Sequence, residues 1–238
     1  MIFKSINKLE GELTFPGDKS ITHRAIMFAS LSNGLCEISN IGLGRDNLST
    51  IKIFRDLGVD IKRFKDKVIV KGRGLNGLIE PLNVLDAENS GTTIRIISGI
   101  LSAQSFFSVI TGDKYLVKRP MKRVIEPLTL MGAKIYGRDG DKYPPLAIKG
   151  NSSLKGIEYN LSVASAQVKS AILMAGMYAE GETVITEPTK SRDHTERFMK
   201  FLGVPIKVIN KKISISRVSK IPAFDISIPG DISSSAFF

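Results

Sequence analysis

The sequence of 238 residues has no tryptophan, a single cysteine and few aromatic residues, 7% of the total. One thiol cannot form an intramolecular disulfide, so no disulfide framework holds this fold. Few aromatic rings also mean a poor supply of stacking faces for single-stranded nucleic acid. No apolar run reaches the roughly 18 residues that a membrane-spanning helix needs. The opening MIFKSINKLEGEL lacks the apolar stretch of a secretory signal. The expectation is therefore a cytoplasmic chain. Acidic residues are in deficit as well, with 23 Asp and Glu against 34 Lys and Arg, a net charge of +11. That balance favours an anionic partner: nucleic acid, a membrane surface or a phosphorylated metabolite. The cations are spread along the chain with no long basic run, so part of the excess is simply a solvated surface. The 42% apolar fraction is ordinary for a globular protein and is enough for a sizeable core.

What the sequence does have is an internal repeat. The stretches FRDLGVDI, TLMGAKI and KFLGVPI each close an apolar run on a glycine: Gly58, Gly132 and Gly203. The intervals are 74 and 71 residues (132 − 58 and 203 − 132). A second landmark runs ahead of the first, at Lys19-Ser20, Asn89-Ser90 and Ala164-Ser165. Each opens a small-residue turn before apolar residues at helical spacing.

The pattern predicts three units of order βαβαββ, at about 15–75, 76–150 and 151–224. In the first, Gly11–Phe15 reads as a strand and Ser20 as the cap of a helix that Gly34 stops. Leu35–Ile41 is the next strand, and Asp46 caps a second helix through Leu57. Val59–Phe64 and Lys67–Lys71 close the unit. In the second, a helix runs from Ser90 to about Ala103, followed by a strand at Phe106–Thr111. Pro120 sits in the first turn of the next helix, and strands follow at Ala133–Tyr136 and Leu146–Lys149. The third has a strand Ile157–Val163, a helix from Ser165 to about Ala179, a strand Thr183–Thr186 and a helix Asp193–Leu202. Pro205–Ile209 and Ile213–Ser216 complete it. A period near seventy is too long for the common solenoids. Packing of the three units around a shared axis as one α/β domain is the expected outcome. A fourth copy opens at Pro229-Gly230-Asp231 and stops at Phe238, which predicts a truncated protein.

Each unit places candidate anion ligands where its first helix begins: PGDKSITHR with Lys19, Ser20 and Arg24; NSGTTIR with Gly91 and Arg95; SVASAQVK with Ser165, Gln167 and Lys169. Helix starts carry unpaired N–H donors and a partial positive charge, so they bind anions. Arginine adds a bidentate fork suited to phosphate and carboxylate. Taken singly, each is ordinary: a serine cap, a turn glycine, a surface arginine. Three in register with a repeat predict one electropositive pocket.

PGDKSITHRA, NSGTTIR, KRPMKRVIEPL and the stretch from SAQVKSA to SRDHTER together resemble the 5-enolpyruvylshikimate-3-phosphate synthases, over essentially the whole chain. The resemblance implies transfer of the enolpyruvyl group of phosphoenolpyruvate to the 5-hydroxyl of shikimate 3-phosphate, releasing phosphate. It implies an inside-out α/β barrel with three βαβαββ units per domain, two domains, no metal and no cofactor. Residues 15–224 would be the first domain, with 1–14 and 225–238 as crossover segments to a second domain that carries the main acid/base carboxylates. The fragment alone would then be inactive. Carried over by position, shikimate 3-phosphate contacts fall on Lys19, Ser20, Arg24, Ser165 and Gln167. Phosphoenolpyruvate contacts fall on Lys19, Gly91, Arg119 and Gln167, with Lys19 as the catalytic candidate. Ala166 stands where some members have a second serine. His194 falls near an aromatic position of other members, with a structural histidine as the plainer reading, and His23 is expected to point away from the site. The implied protein is a monomer that binds neither nucleic acid nor membrane, and its family is the target of glyphosate.

Two other families share related features. The sister UDP-N-acetylglucosamine enolpyruvyl transferases carry a cysteine in a mobile loop. The matching stretch here, Thr111–Lys118, has none, and Cys36 reads as core. A basic RNA-binding or RNA-end-processing module shares a related repeat unit, but the chain lacks an interleaved Arg-aromatic pattern.

Overall fold

The computed structural model describes residues 10–236. The expected crossover residues 1–9 and the last two residues, 237–238, lie outside the described part.

Three four-stranded sheets share one topology. The first has order β12-β1-β3-β2, from Ile226–Ser227, Leu35–Ser39, Lys67–Lys71 and Asp60–Arg63. The second is β4-β5-β7-β6, from Leu85–Asp86, Phe107–Thr111, Tyr143–Lys149 and Lys134–Gly137. The third is β8-β9-β11-β10, from Glu158–Asn160, Thr183–Thr186, Lys212–Ile215 and Ile206–Ile209. In each, the outer first strand pairs parallel with the second and the remaining pairs are antiparallel. The repeat read from Gly58, Gly132 and Gly203 is thus a repeat of structure. All three glycines have positive φ (86°, 100° and 71°), the left-handed conformation that ends a helix without a Cβ penalty.

Each unit contributes one inner and one outer helix. The inner helices are α1 (Lys19–Leu31), α3 (Gly91–Ser102) and α6 (Ala166–Gly176). They are almost wholly buried, polar residues such as His23, Arg24 and Lys169 included, as helices enclosed by other elements must be. The outer helices α2 (Arg45–Asp56), α4 (Lys122–Leu130) and α7 (His194–Phe201) bury one stripe only. At the contact of α3 with α6, a Cβ on Gly99 would lie 2.1 Å from the carbonyl oxygen of Ala171, so only glycine permits this approach. That contact brings the starts of α3 and α6 together.

Several boundaries differ from the sequence reading. Gly11–Phe15 forms no strand; residues 10–14 are exposed and have no apolar face to bury. The leading strand of the first unit is instead β12, with Ile226 opposite Ile38 and Ser227 opposite Ser39. The expected 225–238 crossover segment therefore also completes the first sheet. Ser20 does not cap α1. Asp18 does, accepting from the Ile21 N–H at 2.7 Å, because a carboxylate there satisfies an orphan donor and also meets the positive helix end. Gly44, not Asp46, occupies the cap position of α2, and Asp46 lies in its first turn. Pro120 precedes α4 by two residues. Among the described residues, no helix is long and apolar enough to cross a membrane.

The two PGD turns meet. The Asp18 N–H donates to the Pro229 carbonyl at 2.8 Å, and the Asp231 N–H donates to the Pro16 carbonyl at 2.9 Å. Asp231 caps a short helix, α8 (Ile232–Ser235), much as Asp18 caps α1. The start that the sequence marks as a fourth copy is thus paired, almost symmetrically, with the start of the first.

Candidate active site

The start of α3 gathers arginines. Ser90 caps the helix through the Thr93 N–H at 3.1 Å, which leaves Gly91 at the first helical position. A Cβ built on Gly91 would stand 2.5 Å from one terminal nitrogen of Arg95 and 3.0 Å from one of Arg119. The two guanidiniums therefore flank a bare stretch of backbone. Arg95 donates to the Gln167 side-chain oxygen at 3.1 Å and to the Pro120 carbonyl at 3.2 Å. Gln167 in turn donates to Thr92 Oγ1 at 2.9 Å. Arg119 donates to Asn89 Oδ1 at 2.5 Å. Burial, and then the like charges of Arg119 and Arg123, hold the Arg95 pKa below its ordinary value. Three cations crowded together without a neutralising carboxylate favour an incoming anion. Among the described residues, none of the ion pairs involves Arg24, Arg95 or Arg119.

The start of α1 is built differently. Arg24 is buried and makes four hydrogen bonds: to Thr195 Oγ1 at 2.6 Å, Ser170 Oγ at 2.8 Å, and the Ser20 hydroxyl and carbonyl at 2.8 and 3.0 Å. A guanidinium offers five N–H donors, so most of this fork is spent on the protein. Expected as a substrate ligand, Arg24 is first a clamp that ties α1 to α6 and α7. Burial lowers its pKa to about 10, partly offset by Glu196 and Asp18. Ser20 remains half-buried, and its hydroxyl also lies 3.0 Å from His194 Nδ1, so His194 is seated beside the candidate residues rather than in a remote structural role. Lys19 is exposed, and its ammonium rests 3.3 Å from Asp46; such an exposed pair is weak and leaves the side chain free to move. At the start of α6, Ser165 caps through a longer contact, 3.4 Å from the Val168 N–H.

Buried hydroxyls connect these starts. His23 Nδ1 contacts Thr50 Oγ1 at 2.8 Å, Thr50 contacts Thr93 at 2.7 Å, and Thr93 Oγ1 donates to Ser90 Oγ at 2.7 Å. His23 turns inward, as expected. Burial, with Arg24 and Lys19 nearby, pushes its pKa down to about 3, so it is neutral at pH 7. Lys19, Ser20, Arg24, Gly91, Arg119, Ser165 and Gln167 thus belong to one connected set of elements. Lys169 does not join them as a free cation. It is fully buried and paired with Glu187 and Glu196 at 2.8 and 2.6 Å. The supports Thr92, Ser170 and Thr195 carried no signal in the sequence beyond being hydroxyls on helices. A hollow of about 260 Å³ beside His194, lined by Ile21, Phe198, Phe201 and Ile226 among others, is largely apolar and does not include Lys19, Arg119 or Gln167.

Three βαβαββ units around buried inner helices whose starts form a cationic cradle define an α/β protein of the enolpyruvyl-transferase type. The family model for EPSP synthase (3-phosphoshikimate 1-carboxyvinyltransferase) matches residues 3–238, and the chain belongs to that family. It is 52% identical over 240 residues to the 3-phosphoshikimate 1-carboxyvinyltransferase of Alkaliphilus metalliredigens, covering 100% of this chain and 56% of that protein. The Bacillus subtilis protein of the same name is 51% identical over 233 residues, covering 98% of this chain and 54% of its own. The solved EPSP synthase of Acinetobacter baumannii superposes with a TM-score of 0.92 at 48% identity, over 95% of this chain and 51% of that one. The chain spans about half the length of the curated relatives it matches.

Proposed function

We propose that this chain binds shikimate 3-phosphate and phosphoenolpyruvate and takes part in transferring the enolpyruvyl group to the 5-hydroxyl of the first, with release of phosphate. In that reaction the hydroxyl oxygen attacks C2 of phosphoenolpyruvate while its C3 gains a proton, giving a tetrahedral intermediate. Loss of phosphate and of a C3 proton then restores the double bond. The observation that carries the reading is the cross-linking of three inner helices, Arg24 to Ser170 and Arg95 to Gln167, around Arg95 and Arg119, which lack carboxylate partners.

In this reading the starts of α1 and α6 hold shikimate 3-phosphate through Lys19, Ser20, Ser165 and Gln167. Ser165 spends a lone pair on capping α6, which leaves its O–H for the ligand. Arg24 fixes Ser20 in place and has little donor capacity left for direct contact. Arg119, Lys19 and the bare backbone at Gly91 take phosphoenolpyruvate, whose phosphate and carboxylate need fixed positive charge as the leaving group departs. Holding both substrates in register supplies part of the rate by itself. The remaining acid and base groups are assigned to the half of the relatives' length that this chain does not match. In this reading the protein is a cytoplasmic monomer that acts on small molecules and binds no nucleic acid.

Titration calorimetry of the chain with shikimate 3-phosphate tests this. Saturable binding is expected, weakened on the order of tenfold or more by Lys19→Ala, the loss of one charge-assisted contact. No heat with the wild-type chain, or equal affinity in the variant, would remove the proposed site.

A further inference from the structure

Lys169, Glu187 and Glu196 form a buried charge cluster beside the candidate site. Lys169 projects from α6 into the interior and binds Glu187 Oε2 at 2.8 Å and Glu196 Oε1 at 2.6 Å, all three side chains being at most 5% exposed. The other oxygen of Glu187 accepts from both the backbone N–H and the hydroxyl of Ser191, at 3.3 and 2.5 Å. Glu187 directly follows β9 and Glu196 lies in the first turn of α7. The lysine therefore grips both ends of the connection between them. This connection leads to His194 and Thr195, which bind Ser20 and Arg24. Glu196 also keeps a buried oxygen with no partner and acts electrostatically on Arg24. Two cations and two carboxylates are thus sealed together below the helix starts. Replacing a buried ion cluster by apolar residues of similar volume is often neutral or stabilising. An ion cluster retained here, with its geometry tied to one loop, is better explained by the position it enforces.

We propose that Lys169 is a positioning residue: by binding Glu187 and Glu196 together it fixes the 187–193 connection and the first turn of α7 against Ser20 and Arg24, and so sets the affinity for shikimate 3-phosphate. This rests on the substrate reading above. The ligand touches none of the three charged side chains.

The test uses Lys169→Met, and the charge-balanced Lys169→Met/Glu187→Gln in case the single variant does not fold, with Lys169→Arg as the conservative control. Two readouts are taken at a temperature where circular dichroism shows each variant folded. The first is shikimate 3-phosphate affinity by calorimetry, expected to fall about tenfold or more in the methionine variants and to recover with arginine. The second is the pH titration of His194 by NMR in untagged protein. The chain has two histidines, and His23 does not titrate near neutrality, so the signal is unambiguous. Burial first, then Arg24 and Arg192, hold the His194 pKa below normal against the pull of Asp18 and Asp193. In the methionine variants its midpoint should rise toward 6.5 as the connection swings away. Unchanged affinity and an unchanged His194 midpoint in folded variants would overturn the proposal. Absence of shikimate 3-phosphate binding by the wild-type chain would instead overturn the substrate reading, while the His194 titration would still report on Lys169.

Discussion

The start of α1 and the start of α3 both carry an arginine one turn into the helix, yet the two regions are built in opposite ways. Around Arg24, hydroxyls from three helices occupy most of the guanidinium, and Lys169, Glu187 and Glu196 balance charge beneath it. Around Arg95, the neighbours are Arg119 and Arg123, and the oxygens on offer are neutral amides and carbonyls. In the first region most of the arginine's donors are taken up without a ligand. The second accumulates unpaired charge at an open rim. The difference separates a rigid wall from a reactive lip: binding geometry is set by the first, while charge to be neutralised is stored in the second.

Substitutions should split along that line. Arg24→Met strikes the wall, stranding Ser170 and Thr195 and removing the cation on which Glu196 acts. A loss of about 2–4 kcal/mol of stability in urea unfolding is expected, because buried hydroxyls lose a charged donor. A loss below about 1 kcal/mol would erase the contrast between the two arginines.

Acid should loosen the wall next. His23 is neutral when folded, with a pKa near 3 against 6.5 when unfolded. Between those values the unfolded chain binds the extra proton, so stability falls as pH is lowered from about 6.5 toward 3. His23 alone contributes up to ~1.4 kcal/mol per pH unit in that window. Urea midpoints measured against pH should show a shallower acid slope in His23→Gln. Identical slopes would mean that His23 does not hold a neutral ring in the fold.

Arg119→Ala touches the lip only. Stability should stay within about 0.5 kcal/mol of wild type. Phosphoenolpyruvate affinity, measured with shikimate 3-phosphate present, should drop by about 1.5–3 kcal/mol, the worth of charge-assisted hydrogen bonds. A large stability loss would place Arg119 in the wall instead.

Gly91→Ala is the subtlest. The methyl would press on the ends of Arg95 and Arg119 rather than on backbone, so the fold should tolerate it. Arg95, 2.5 Å from the new methyl, would have to swing aside, and Arg119, at 3.0 Å, would give by a few tenths of an ångström. A modest weakening of phosphoenolpyruvate, and of glyphosate if it shares that position, is expected in binding assays, with unchanged shikimate 3-phosphate affinity. Equal weakening of both substrates would sink the division.

Much of this was legible in the chain itself. The three helix starts could be read because caps, turn glycines and apolar periodicity are local signals. Thr183–Thr186 and Lys67–Lys71 have the expected bounds for the same reason. What could not be read depends on distant partners. Arg24 finds Ser170 and Thr195 from 146 and 171 residues away, and arginine by itself suggests a surface. Strand β12 replaces Gly11–Phe15 because a partner near the other end of the chain pairs better with β1 than the adjacent exposed segment does. Lys169 looked like a third cation for the pocket, since spacing along α6 does not tell which way a buried side chain turns. Asp18 and Ser20 both suit a helix cap and lie two residues apart, so local sequence does not choose between them.

The most direct trial of the account is an amide NMR titration of this chain with shikimate 3-phosphate. If helix starts of separate units hold one anion, the largest shifts should fall together on the first turns of α1 and α6, around Ser20 and Gln167, with smaller ones at Thr92 in α3. Shifts confined to a single helix start, or scattered over the outer sheets, would contradict it.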